Sequence, residues 1–389
     1  MIITRVRLHR ISMPLVSPFT TSFGTEHSKE ALIVEIGADT AAGPVTGWGE
    51  CVAMEDPLYS SEYVDGCAQV IGRWLVPALT AGQQGGPHGA GDTEGGDADD
   101  LVAETVGHRL RHVIGHPMAK AAVEMAVLDA QLRASGQSFA AYLGGVRSTV
   151  PSGVSVGIQE SIEQTLRVVE GYLDDGYVRI KLKIKPGWDV ELVRAVRGVF
   201  GDDVPLQVDA NAAYTLLDAT TLRRLDEFGL LLLEQPLAED DLRQHAVLAT
   251  RLQTPLCLDE SVVSARSAAD AIALGAAQVI NIKPGRVGGY LEAVRIHDLA
   301  RAHGIAVWCG GMLETGLGRS ANAALASLPG FVLPGDISAS SRFYDVDLTE
   351  PVEMVDGQVA VDTTPGIGRA PIPELLERFR TDLSVVFRR

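Results

Sequence analysis

From Val150 onward the apolar positions come in short runs bounded by Gly, Pro, Asp or Asn, with stretches of helical spacing between them. Eight runs read as strands: GVSVG (153–157), RIKLKI (179–184), PLQVDA (205–210), LLLEQ (231–235), PLCLDE (255–260), QVINIK (278–283), IAVWCG (305–310) and a weaker FVLPGD (331–336). ELVRAVRGVF and LEAVRIHDLARAHG are amphipathic helices in the intervals. Alternating strands and helices predict an α/β fold with a parallel sheet, and eight strands are the number that closes a barrel. Earlier in the chain, ITRVRLHRISM and ALIVEIG read as strands joined by a loop, SPFTTSFGTEHSKE (17–30). Residues 60–80 and 101–115 read as helices, and Met118–Ala134 as a strong one. The tail from about 341 leaves the pattern and is expected to pack back on the N-terminal part.

The run Arg179-Ile180-Lys181-Leu182-Lys183-Ile184 alternates strictly between cation and aliphatic. If helices cover its apolar face, its lysines point into the barrel. The other strands add a second pattern. Lys183, Asp209, Glu234, Asp259 and Lys283 recur at intervals of 26, 25, 25 and 24 residues, each at a strand's C-terminal end. In a barrel those ends converge on one mouth, where active sites sit. A lone Asp at a strand end is usually a helix cap, and VDAN and LDES alone fit that, with Asn211 or Ser261 capping the next helix. Five charged ends at near-constant spacing do not.

Three carboxylates at one mouth repel unless a cation neutralises them. Three hard oxygen ligands, Asp209, Glu234 and Asp259, favour Mg²⁺, with Mn²⁺ as substitute. Lys183 and Lys283 would flank the metal. A lysine beside a cation and shielded from water gives up its proton more readily and can serve as a base.

Composition narrows the function classes. A net charge of −17 and a pI of about 4.9 argue against non-specific nucleic-acid binding and against anionic membranes as partners. The four cysteines form no CxxC pair. The N-terminus has no apolar signal core, and no run approaches the ~18 apolar residues of a membrane span. A soluble, cytoplasmic protein is expected. Ala81–Asp100 is Gly-rich and acidic and reads as a loop. GLGRSA (316–321) matches a dinucleotide fingerprint but follows the seventh strand instead of the first. Its N–H groups could instead meet a substrate carboxylate. His108, His112 and His116 read as one helix face.

KLK at 181–183, VDAN, EQP at Glu234, DES, NIKPGRVGG, WCGGMLETGLGRSANAALASLPGF (308–331) and LPGDISAS (333–340) together resemble the enolase superfamily. Within its muconate-lactonizing subgroup, the chain is similar to the N-succinylamino acid racemase / o-succinylbenzoate synthase family. The likeness covers nearly the whole chain, and 81–100 looks like an insertion. It implies a (β/α)7β modified TIM barrel over residues 126–340. It implies an α+β capping domain from 1–125, with 341–389 returning to the cap. It implies Mg²⁺ on Asp209, Glu234 and Asp259, and Lys183 and Lys283 as acid/base pair, with Lys181 beside them. Arg286 matches a position that tunes the second lysine. Phe19, Phe23 and Met54 match cap regions that close over substrate, although ordinary cap core is an equal reading of the aromatics. Ser155, Asn211, Gly311, Met312 and Leu313 match the barrel side of the pocket.

The implied chemistry is proton abstraction α to a carboxylate, through an enediolate stabilised by the metal. With a lysine on each face this racemises an N-acylamino acid. With a β-hydroxyl to expel, it forms o-succinylbenzoate, which could be the main role. Dipeptide epimerases carry D-x-D on the eighth strand, where this chain reads Asp336-Ile337-Ser338. A mandelate-racemase-like route needs a histidine on strand seven, which here ends Trp308-Cys309-Gly310. A binding protein that kept the fold is disfavoured because all five charged positions are intact. The partner expected is a small anionic carboxylate, and a homo-oligomer fits the family.

Overall fold

The computed structural model describes residues 1–81, 83 and 101–389. The Gly-rich segment thus lies outside the described residues, apart from Ala81 and Gln83. The N-terminal strands Ile2–Thr20, Thr25–Thr40 and Gly43–Cys51 form an antiparallel sheet. The C-terminal strand Arg380–Arg388 adds to its edge, Leu8 pairing with Val34 on one side and Ser384 on the other. The chain's two ends therefore build one sheet.

The expected loop at 17–30 is mostly strand. Phe19 pairs with Glu26 and Thr20 with Thr25, leaving a turn at 21–24. The register shifts between Pro14 and Phe19, which accommodates Pro18, a residue with no N–H for a ladder. Polar residues on both faces of this hairpin hid its period. One of them, Lys29, is buried and donates to the Val52 carbonyl at 3.1 Å.

Helix Pro117–Ser135 lies against this sheet and is buried nearly all round. Gly47 and Gly49 allow the approach: a Cβ at Gly49 would stand 2.0 Å from the Ala122 carbonyl oxygen. The same helix packs on the barrel, so residues on both sides of position 125 share one core. The expected helix at 101–115 runs only over Ala103–Arg109. Gly115 and His116 take left-handed φ values of 73° and 55° ahead of Pro117, which ends helical continuation. His112 and His116 therefore do not share a helix face with His108.

Seven parallel strands follow in sequential order: Gly153–Val156, Arg179–Lys183, Leu206–Asp209, Leu233–Glu234, Leu256–Leu258, Val279–Ile282 and Ala306–Cys309. The eighth is reduced to bridges. Phe331 pairs with Val307 and Gly335 with Ser152, both parallel, so the segment joins strand seven to strand one and closes the ring. Pro334 interrupts it.

Glu124 ties cap to barrel. Its carboxylate accepts the Tyr290 and Leu291 N–H groups at 3.0 and 2.9 Å, capping helix Tyr290–Ala302 from a distance. Gly289 makes room, because a Cβ there would fall 2.7 Å from the Glu124 carboxyl carbon. Burial pushes this carboxyl up from 4.5 to about 7, against the pull of those N–H groups and Arg295. The folded state thus keeps a proton that the unfolded chain loses between pH 4.5 and 7. Stability falls as pH rises through that window, by roughly 3 kcal/mol at full extent. In urea unfolding at pH 5 and pH 8, Glu124→Gln should gain on the wild type by about that amount at the higher pH. An unchanged difference would give Glu124 an ordinary carboxyl.

Candidate active site

Strand two turns its aliphatic face, Ile180 and Leu182, into the helical layer. Arg179, Lys181 and Lys183 face the barrel interior and are buried. They form a ladder of cations from floor to mouth. At the floor Arg179 pairs with Asp336 at 2.8 Å and lies over Trp308. Lys181 Nζ stands 2.6 Å from Asp336, 3.2 Å from Glu234 and 3.3 Å from Asp209. Lys183 Nζ reaches Asp209 Oδ2 and Asn211 Oδ1, both at 2.6 Å.

The carboxylates follow from register. Lys183 pairs with Asp209, and Asp209 with Glu234, so the three stand level on adjacent strands. Glu234 pairs with Cys257, which places Asp259 two residues nearer the mouth on the same face. Across the barrel Lys283 Nζ contacts Asp259 at 2.7 Å and the Tyr59 hydroxyl at 3.1 Å. Arg286 pairs with the other Asp259 oxygen and donates to the Asn281 and Val262 carbonyls. Lys183 is on strand two and Lys283 follows strand six, four places apart in a ring of eight.

Burial works against a charged Lys181, but Asp336, Glu234 and Asp209 outweigh it and the net shift is upward. Lys283 behaves likewise: burial is overcome by Tyr59, Glu260, Glu234 and Asp209. For Lys283 the shift in this arrangement is set by bare carboxylates and Tyr59 around the ammonium. Asp209 is also desolvated, yet Lys183 and Lys181 hold it well below the carboxylate range. Glu234 is pushed up by burial and by Asp209 beside it. Among the described residues no three acidic, histidine or cysteine side chains form a ready metal cage, because the carboxylates are turned onto these cations. The donor chemistry nevertheless fits a hard cation. Three buried carboxylates converge, and Glu234 Oε2 and Asp259 Oδ1 are met by cationic side chains, Lys181 and Arg286, as oxygens that would suit a metal are.

Above the arc opens a pocket that reaches the surface. Lys181, Lys183 and Lys283 line its base, with Ser155, Asn211, Gly311, Met312 and Leu313 on the barrel side. Phe19, Phe23 and Met54 line it from the cap. Asp209, Glu234, Asp259 and Arg286 lie beneath the lining. Phe19 meets Phe343 edge-on at 6.2 Å, and Phe23 meets Tyr59 at 5.8 Å. Asn211, Ala212, Gln235 and Leu313 all have positive φ, so backbone strain gathers here.

The sequence reading missed Tyr59 and Glu260. Tyr59 lies five residues beyond Met54 in a stretch with no period, and only the cap's placement over the barrel brings it to Lys283. Glu260 accepts from Asn211 Nδ2 at 2.8 Å. GLGRSA is not free for a substrate. Glu50 takes the Thr315 and Gly318 N–H groups at 3.0 Å each, and Asp347 takes that of Gly316.

A closed parallel barrel under an antiparallel cap, with lysines facing each other over three carboxylates, defines a capped (β/α)7β-barrel enzyme. Residues 164–374 match the family Enolase C-terminal domain-like. The chain belongs to the enolase superfamily, in its N-succinylamino acid racemase / o-succinylbenzoate synthase family. It is 62% identical to an N-succinylamino acid racemase of an Amycolatopsis species, covering 97% of each chain. It is 46% identical to an o-succinylbenzoate synthase of Geobacillus stearothermophilus, over 99% of this chain and 97% of the other. A solved enolase-superfamily structure from Listeria innocua superposes with a TM-score of 0.89 at 36% identity, covering both chains completely.

Proposed function

We propose that this enzyme racemises N-acylamino acids, N-succinyl derivatives above all, by 1,1-proton transfer between Lys183 and Lys283. The observation that carries the reading is that both ammonium groups line one pocket from strands on opposite sides of the barrel. The racemase relative at 62% identity supports it. The synthase relatives support a second activity in the same pocket, syn-dehydration to o-succinylbenzoate.

Asp209, Glu234 and Asp259 would hold a divalent cation, Mg²⁺ or Mn²⁺. When bound, it would supply positive charge where the substrate carboxylate becomes an enediolate. The chain's own groups do the rest. One lysine removes the α-proton from its face and the other delivers a proton to the opposite face. In dehydration Lys183 is base and then acid, while Lys283 stabilises charge. Lys181 presents a fixed positive charge beside Lys183. Phe19, Phe23 and Met54 cover the pocket and exclude water, while Ser155, Asn211, Gly311, Met312 and Leu313 shape its barrel side. Arg286 orients Asp259 and so acts on Lys283 through it.

Asp336 is committed to Lys181 and Arg179, and Ser338 stands where a second acid would be. No free carboxylate is left at that strand for a substrate ammonium, which favours an acylated amine over a dipeptide. No helix among the described residues is long and apolar enough to cross a membrane. A cytoplasmic homo-oligomer acting on small anionic carboxylates completes the proposal.

Proton NMR in D₂O, with Mg²⁺ and N-succinyl-L-phenylalanine, tests it. The α-proton signal and the optical rotation should both disappear. A persistent α-proton with metal bound would sink the reading for this substrate and direct attention to β-elimination.

A further inference from the structure

Each mouth lysine is gripped by one carboxylate and one neutral oxygen. For Lys283 the neutral oxygen is the Tyr59 hydroxyl, which can turn to suit. For Lys183 it is the Asn211 side-chain oxygen at 2.6 Å. An amide is two-ended. Rotated by half a turn, Asn211 would present NH₂ to an ammonium, donor against donor, and drive Lys183 off its place.

Glu260 decides which end faces the lysine. Its Oε1 accepts from Asn211 Nδ2 at 2.8 Å, which turns the NH₂ end of the amide to Glu260 and its oxygen to the lysine. That is its one side-chain hydrogen bond among the described residues, because Oε2 is buried without a partner. Glu260 is 8% exposed. A buried carboxylate is costly, and besides its attraction to Lys283 this hydrogen bond is what answers it here. The backbone of Asn211 is pinned as well. It sits at φ 40°, donates its N–H to Asp209 Oδ1 at 3.0 Å, and accepts from the Ser22 hydroxyl of the cap hairpin at 3.4 Å.

We propose that Glu260 is a positioning residue for Lys183: it locks the Asn211 amide with its oxygen toward the ammonium and so holds that lysine on its face of the pocket. The inference rests on the two-lysine reading of the site. It makes the contact one-sided, since the Tyr59 hydroxyl can turn to accept from Lys283 and needs no partner to choose its end.

The test is α-proton exchange in D₂O from each enantiomer of N-succinylphenylalanine. Lys183→Ala identifies the enantiomer that Lys183 serves. In Glu260→Leu, exchange from that enantiomer should fall about a hundredfold relative to Glu260→Gln, and exchange from the other should stay within about twofold of Glu260→Gln, since both variants remove the charge that Lys283 faces. Glu260→Gln, whose side-chain oxygen accepts the same N–H, should recover most of the loss. Asn211→Gly, tolerated at positive φ, should show the same one-sided loss, and adding Glu260→Leu to it should change nothing further. Crystal structures of wild type and Glu260→Leu should show the Lys183–Asn211 contact only in the former. Equal loss from both enantiomers, no loss, additive losses in the double variant, or a retained contact would each overturn the proposal. If the wild type exchanges neither enantiomer, the function reading fails, and the pair of structures still decides the positioning role.

Discussion

Lys183→Ala and Lys283→Ala should each lose racemisation by about 10⁴-fold, the upper range for a positioned acid/base group. The two losses should differ in kind. Each variant keeps a lysine on one face, so each should still exchange the α-proton of one enantiomer, and the two should choose opposite enantiomers. Following D₂O exchange and optical rotation together separates this from general damage, because exchange without inversion requires a working pocket. Lys181→Ala makes the useful contrast. Lys181 is bound to Asp336, Glu234 and Asp209 at once, so its loss takes a cation from three carboxylates, two of them fully buried, and should lower stability as well as both exchange rates. If either Lys183→Ala or Lys283→Ala racemised at the wild-type rate, the two-base assignment would have to be abandoned.

The barrel and its arc of charge were legible because both rest on period two. Alternation in RIKLKI says which face is covered, and near-constant spacing of Lys183, Asp209, Glu234, Asp259 and Lys283 says the ends meet. The register of Lys183, Asp209 and Glu234 is the physical content of that spacing. What the pattern could not carry was contact across long separations. Tyr59 meets Lys283 over 224 residues, and Glu50 fills the N–H groups of the GLGRSA helix from 265 residues away. The cap hairpin shows no strand period in the sequence because both its faces carry polar residues. Ser22, in the turn of that hairpin, reaches the Asn211 carbonyl, so the hairpin is also a link between cap and base. The eighth strand was weak in the sequence and is weak in the fold for one reason, Pro334.

Removing divalent cations should abolish activity while leaving the fold in place. Chelation followed by dialysis should lower the racemisation rate by about 10³-fold or more, the scale of losing the main charge stabiliser of the transition state, and Mg²⁺ or Mn²⁺ should restore it. The ion pairs give the reason the protein survives. Asp209 is answered by Lys183 and Lys181, Glu234 by Lys181, and Asp259 by Lys283 and Arg286, so the three carboxylates need no further cation to stay buried. Circular dichroism should therefore be unchanged on chelation, and the melting temperature should move only by the binding linkage. The same pairs predict competition. A cation held by the arc would compete with Lys183 for Asp209 and with Lys283 for Asp259. Metal affinity should accordingly rise in Lys183→Ala, measured by calorimetry, even as racemisation is lost. Full activity after exhaustive chelation would end the metal-dependent reading, and unfolding on chelation would mean that the ion pairs do not carry the buried charge.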